Sequence, residues 1–217
     1  MLLSGWVGTR PALDQVDAEH AVRTRQEGLE RSMTATTKTS YTLEMNSPDD
    51  LRPKSVDLPG LRVERMTVPV PEYNKFLHTV VGAHHRWGGR GDWGAEEWIA
   101  YVRRDELETW VAYLYGSPAG YVEMEKGAAG DVHIWCFGLL PAFIGQGLGG
   151  HLLTVAVRHA WAPREDGGMG ATRVWLRTCS HDHPHALQNY LARGFCLAVQ
   201  EQTPANPALK SFWEWMA

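Results

Sequence analysis

Between Pro141 and His151 the chain reads Pro-Ala-Phe-Ile-Gly-Gln-Gly-Leu-Gly-Gly-His, and the apolar run Leu152, Leu153, Val155, Ala156 and Val157 follows at once. Four glycines in six positions remove the Cβ atoms that keep a ligand away from the backbone, so successive N–H groups can converge on an anion. The helix expected after them points the positive end of its dipole the same way. Upstream, Val132, Ile134, Cys136, Leu139 and Leu140 read as a strand that runs into Pro141. Strand, glycine loop, helix is an order that holds a pyrophosphate. It commits the chain to a sheet with helices packed on it.

Spacing separates the families that share this local physics. A Walker-type loop needs Lys and then Ser or Thr after its last glycine, whereas Gly150 and His151 follow Gly149, which excludes it. Gly145, Gly147 and Gly150 match the dinucleotide fingerprint G-x-G-x-x-G, with Glu165 and Asp166 in reach as acidic partner, so that reading stays open. A glycine-rich turn with no ligand also stays open. A third pattern, [Arg/Gln]-x-x-Gly-x-[Gly/Ala], is the acyl-coenzyme A loop of the GNAT acetyltransferases, and the stretch resembles it.

A second motif extends the resemblance. That family carries, some thirty residues on, a strand, a loop and a helix reading Ala-x-x-x-Tyr-x-x-x-Gly-Phe. Residues 174–177 read as the strand, and Ala186, Tyr190, Gly194 and Phe195 fall in register with the helix and its end. The likeness runs over residues 61–216. One departure matters: Ile144 stands where the family's loop carries Arg or Gln. The backbone cradle remains, and Gln146 is the candidate for a weaker side-chain contact.

Composition bounds the rest. A chain of 217 residues with 44% apolar content builds one substantial core. It has no apolar run of about 18 residues and no basic region leading into an apolar stretch, so neither a membrane span nor a secretory signal is expected. The cytoplasm is the expected compartment. Cys136, Cys179 and Cys196 have neither metal-ligand nor paired spacing and fit buried thiols in reducing surroundings. A net charge of −4 argues against a general nucleic-acid surface. Of ten tryptophans, Trp87, Trp93, Trp98 and Trp110 cluster early in the presumed domain, as core or as the walls of a pocket.

Residues 1–60 read as an N-terminal extension, with a patchy helical stripe over 11–32 and a flexible Thr- and Ser-rich segment over 33–41. From residue 61 to 217 the pattern is regular. Strands are expected at 61–68, 107–115, 119–125, 132–140, 172–178, 195–202 and 209–216, and helices at 73–84, 94–104, 148–161 and 183–192. The class is α+β, or a three-layer α/β stack. The resemblance implies a GNAT fold, a mixed central sheet of six to seven strands flanked by about four helices, preceded by the extension.

The same resemblance implies an N-acyltransferase that moves an acetyl or other acyl group from acyl-coenzyme A to a primary amine of a small, amino-acid-like metabolite. Attack is direct, in a ternary complex. A longer acyl donor, aminoacyl-tRNA, or a sensor that binds acyl-coenzyme A without chemistry are the alternatives. The coenzyme's diphosphate is expected on Gly145, Gln146, Gly147, Leu148, Gly149 and Gly150, beside Ile144. Its pantetheine arm is expected along Phe137, Gly138, Leu139 and Leu140, with the N–H near Leu139 on the thioester oxygen, and Asn189 and Tyr190 complete that set. Tyr190 is the candidate acid for the departing thiolate.

For the base, Glu123 and His133 are candidates, with Glu125 on the same strand as Glu123, although hairpin register cannot be read from sequence. His181, Asp182, His183 and His185 cluster before the second-motif helix, but no second ligand pair completes a metal site, and no metal is expected. Asp182 or His183 is expected to cap that helix, with Pro184 in its first turn. Asp182 is also a catalytic candidate. Arg86, Trp87, Arg90, Trp93 and His183 are expected to meet the acceptor, since the family uses the connection between its first two helices for this. The apolar run Phe212, Trp213 and Trp215 suggests a homodimer.

Overall fold

The segments of period two assemble into a seven-stranded sheet in a computed structural model that describes residues 37–83, 85, 87, 89–163 and 167–204. In chain order the strands are β1 (Thr37–Met45), β2 (Leu61–Arg65), β3 (Leu107–Leu114), β4 (Ser117–Lys126), β5 (Asp131–Leu139), β6 (Arg173–Cys179) and β7 (Cys196–Pro204). Helices α1 (Pro71–Gly82) and α2 (Ala95–Val102) separate β2 from β3. Helix α3 (Leu148–Trp161) joins β5 to β6, and α4 (Ala186–Ala192) joins β6 to β7. The order across the sheet is β2-β3-β4-β5-β6-β1-β7, antiparallel throughout except for β5 and β6. This is the mixed sheet with four helices that the sequence led us to expect, and the described residues fall in one compact unit. Among the described residues no helix is long and apolar enough to cross a membrane.

Both faces of the sheet are covered. Leu152, Leu153, Ala156 and Val157 of α3 pack on Val122, Met124, Val132, Ile134, Val174 and Leu176. On the other face Leu77 and Val81 of α1 pack on Val111, Tyr121 and Cys136. Each Val, Leu, Ile and Met side chain among these contributes about 1.5–3 kcal/mol on full burial, so the three layers are held mainly by apolar contact. Of the early tryptophans, Trp98 and Trp110 belong to the interior.

Strand β1 corrects the boundary placed at residue 60. The Thr- and Ser-rich segment is no linker from Thr37 onward: it pairs with β6 on one side and β7 on the other. Thr is a good strand former, and the alternation of Tyr41, Leu43 and Met45 sends Leu43 and Met45 fully into the core. Polar composition concealed a period of two. The position beside β6 is therefore taken by β1, and the strand expected at 209–216, with its dimer-forming aromatics, lies outside the described residues.

After β1 the chain turns at Pro48–Asp50 and crosses the start of α3 as a strap. The N–H of Arg52 donates to the Arg193 carbonyl (3.0 Å), that of Lys54 to Thr154 Oγ1 (2.9 Å) and that of Val56 to His151 Nδ1 (3.3 Å). Gly194 makes the crossing possible. Its φ is +99°, and a Cβ there would overlap the Asp50 carbonyl. Gly194→Ala is expected to cost about 2 kcal/mol or more, because strain and overlap act together. Urea unfolding checks this, and an unchanged midpoint would mean that the strap yields freely.

One irregularity positions the site. Met124 pairs with Ile134 but Glu123 pairs with Cys136, so Trp135 is an extra residue on β5. Such a bulge bends its strand and re-aims its side chains. Val132 and Ile134 face α3, yet Cys136 faces α1. Beyond the bulge β5 stays with β4 while β6 stays with β1, and the β5–β6 pairing stops at Ile134 and Leu176. A gap opens in the middle of the sheet.

Candidate active site

A cleft of about 850 Å³ occupies this gap and runs to the glycine loop. The loop bends at Gly145 and Gly147, whose φ angles of +90° and +80° are ones that L side chains rarely adopt. Gly147 caps α3 without a side-chain cap hydrogen bond among the described residues, which leaves first-turn N–H groups open. Two cations converge on this helix end. Lys54 Nζ lies 3.5 Å from the Cβ position of Gly147, and Arg193 Nη1 2.5 Å from that of Gly150. Neither has a carboxylate partner among the described residues. Two unpaired cations at the positive end of a helix dipole repel one another unless an anion joins them. Ile144 lines the cleft without offering a charge, and Gln146 turns back to donate to the Ala142 carbonyl (3.1 Å). The side-chain contact expected of Gln146 is thus offered by Lys54 and Arg193 instead.

Along the gap, β5 keeps one edge free. The N–H of Leu140 donates to the Ala119 carbonyl on the β4 side (2.9 Å), so strand alternation turns the N–H groups of Phe137 and Leu139 toward the gap. Phe137, Gly138, Leu139, Asn189 and Tyr190 all line it. Leu140, packed on the α1-side cluster, and Leu148, buried in the core, are not part of its lining. Tyr190 packs between Phe137 (ring centroids 5.8 Å apart) and Phe195 (6.2 Å). Burial, helped by Asp182 and Cys136, raises its pKa well above the ordinary phenol value, so it keeps its proton through neutral pH.

On the α1–α2 side Glu123 is fully buried and accepts from Asn74 Nδ2 (2.9 Å), Arg90 Nη1 (2.7 Å) and Tyr101 OH (2.9 Å). The Arg90 guanidinium sits 4.0 Å from the Tyr101 ring centre and 5.3 Å from that of Trp93. This burial fits a carboxylate that anchors Arg90 and Tyr101 rather than the base expected of Glu123. His133 is likewise covered. It stacks on Trp175 (3.8 Å) and meets Trp135 at a tilt of 58° (4.2 Å), and burial lowers its pKa to about 4. Glu125, one strand position pair beyond Glu123, does line the cleft and is held by Arg104 (3.0 Å).

Asp182 does not cap α4. Its Oδ2 accepts from Thr178 Oγ1 (2.6 Å) and the Cys179 N–H (2.9 Å), closing the turn after β6, and its Oδ1 accepts from Trp87 Nε1 (3.2 Å). Nor does His183, whose Nδ1 accepts from the His185 N–H (3.2 Å). The pKa of His183 falls to about 4 through burial and its neighbours His85 and His185, so the imidazole is neutral. Among the described residues no group of His, Cys, Asp and Glu is arranged to hold a metal ion. Trp87, Arg90, Trp93 and His183 line the cleft, while Arg86 lies outside the described residues.

Sequence reasoning missed Lys54, Arg193, Tyr101 and Trp135, all of which line the cleft. Arg193 directly precedes Gly194 of the second motif and was within reach of that motif. Nothing local marks Lys54, which arrives over the strap.

The model of the acetyltransferase (GNAT) family matches residues 76–195. Among solved structures, a GCN5-related N-acetyltransferase from Kribbella flavida is 16% identical with a TM-score of 0.54, covering 78% of this chain and 60% of its own. A second, from Sphaerobacter thermophilus, is 15% identical with a TM-score of 0.50, covering 82% and 55%. A conserved protein of unknown function from Staphylococcus epidermidis is 17% identical with a TM-score of 0.48, covering 89% and 67%. At these identities the likeness is one of fold, and the chain spans little more than half the length of the two acetyltransferases. No curated protein matches the sequence.

Proposed function

The chain belongs to the GNAT acetyltransferase family, and from that premise we propose that it transfers an acyl group, acetyl first of all, from acyl-coenzyme A to the primary amine of a small acceptor. The observation that carries this reading is the pair of unpaired cations, Lys54 and Arg193, at a glycine loop that opens onto a gap with free strand backbone. These residues fit the coenzyme. The loop N–H groups, Lys54 and Arg193 suit its diphosphate, and the free N–H groups of Phe137 and Leu139 suit the peptide-like arm and the thioester oxygen.

When bound, the coenzyme supplies an activated acyl thioester. Tyr190 then holds a proton at its hydroxyl for the thiolate that leaves, and its raised pKa keeps that proton in place. For the amine's proton two carboxylates line the cleft, Glu125 and Asp182. Asp182 is taken by Trp87, Thr178 and the Cys179 backbone, whereas among the described residues Glu125 is held by Arg104 alone. Glu125 is thus the acceptor of that proton, through water.

Isothermal titration with acetyl-coenzyme A and NADH tests the reading. Micromolar acetyl-coenzyme A binding is expected, abolished in Gly147→Glu, where the new carboxylate meets the anion. In the Lys54→Ala/Arg193→Ala double variant it is expected to weaken by roughly tenfold or more, since charge-assisted hydrogen bonds are lost. NADH binding without competition from coenzyme A would overturn the proposal in favour of the dinucleotide fingerprint.

A further inference from the structure

Building on the acyl-transfer reading, we propose that the acceptor is a monoamine carrying a flat aromatic ring, and that the ring stacks on the indole of Trp135. The bulge fixes the place. Ile134 is the last β5 residue paired with β6, and Trp135 is the next, so the indole stands where the gap closes. A linear donor anchored at the glycine loop, the wide end, has its reactive terminus at this closed end.

The indole is 51% exposed while lining the cleft. A lone exposed apolar residue is ordinary on a protein surface. This one is held. It rests on His133 at 4.2 Å, which is stacked on Trp175 at 3.8 Å and nearly parallel (7°). Trp175 is in turn fixed by Nε1 donating to Asp131 Oδ2 (2.8 Å) and by the Arg173 guanidinium 5.5 Å from its ring centre. The stacked pair His133 and Trp175 thus backs an indole that leans on it at 58° and borders the cleft. Flat ligands gain most from such a preorganised face, because no rotamer has to be frozen on binding.

Charge gives no support to the other large class of amine acceptors. Lys38, Lys54, Arg90, Arg104, Arg177 and Arg193 line the cleft against two carboxylates, Glu125 and Asp182. Arg90 is paired with Glu123, Arg104 with Glu125 and Arg177 with Glu201, and Lys54 and Arg193 serve the diphosphate, so no row of free carboxylates remains among the described residues to hold a polyamine. The aromatic cage beside the indole does not offer a cation site either, since the Arg90 guanidinium already fills it, 4.0 Å from Tyr101 and within 6.0 Å of Trp98 and Trp135.

The test uses the full chain and two readouts. Phenethylamine, its saturated analogue cyclohexylethylamine, and spermidine are titrated calorimetrically with and without saturating coenzyme A, and initial rates are measured with acetyl-coenzyme A. Phenethylamine is expected to exceed cyclohexylethylamine by about tenfold in affinity and in kcat/KM, the upper range for an aromatic pair. Trp135→Ala should abolish that preference, Trp135→Phe should retain most of it, and both should bind acetyl-coenzyme A as the wild type does. Equal affinities, a preference for spermidine, or a preference that survives Trp135→Ala would each overturn the proposal. Failure of acetyl-coenzyme A to bind would instead remove the acyl-transfer reading, and the titrations without coenzyme still decide whether Trp135 selects flat amines.

Discussion

Replacing Tyr190 with Phe is expected to lower kcat by roughly a hundredfold, the lower range for loss of a general acid, and to leave acetyl-coenzyme A affinity within about twofold. Phe retains the packing of the ring. Tyr190 is held by ring contacts with Phe137 and Phe195, and those survive the substitution. The hydroxyl forms no hydrogen bond to the described residues, so its removal leaves no partner unsatisfied. Only the proton is lost. Burial holds the phenol's pKa above the ordinary 10, so the wild-type rate should rise with pH as the acceptor amine deprotonates, with no descending limb from Tyr190 up to about pH 10. Stopped-flow thiol release and calorimetry measure the two quantities. An unchanged kcat would show that solvent protonates the thiolate. Reduced affinity at full kcat would make Tyr190 a packing residue.

That Tyr190 could be singled out from sequence, and Lys54 could not, follows from how each reaches the cleft. Tyr190 lies on a helix whose start and end are marked in the chain itself, at Ala186 and at Gly194 with Phe195, and the glycine loop is likewise one continuous stretch. Signals of this kind survive without tertiary structure. Lys54 is placed by Thr154, a hundred residues away, and by the passage of the strap under Gly194. No local pattern encodes that crossing. Strand β1 is the intermediate case: its alternation was present in Tyr41, Leu43 and Met45, but Thr and Ser masked it. For Glu123 and Glu125 the missing fact was register. A single extra residue, Trp135, shifts the parity of β5 against β4, and it is this shift that pairs Glu123 with Cys136 over the α1 layer.

Glu123→Ala is expected to destabilise the fold by about 3–5 kcal/mol, as when one partner of a buried ion pair is removed. The cause is Arg90 more than the carboxylate itself. With Glu123 gone, a guanidinium only 10% exposed would remain among Tyr101, Trp93 and Trp98 with no counter-charge, and Asn74 Nδ2 would lose one of its acceptors. Cation–π contacts of about 0.5–2 kcal/mol offset only part of that. The pair is better described as a specifier of the cleft wall than as a source of net stability, because replacing both partners removes the penalty. Glu123→Leu/Arg90→Met should therefore recover most of the loss in urea unfolding. The same double variant should still raise the acceptor KM, since Tyr101 and Arg90 both line the cleft. If Glu123→Ala alone unfolds within about 1 kcal/mol of the wild type, Arg90 has escaped into the cleft and found water, and the aromatic cage does not confine it.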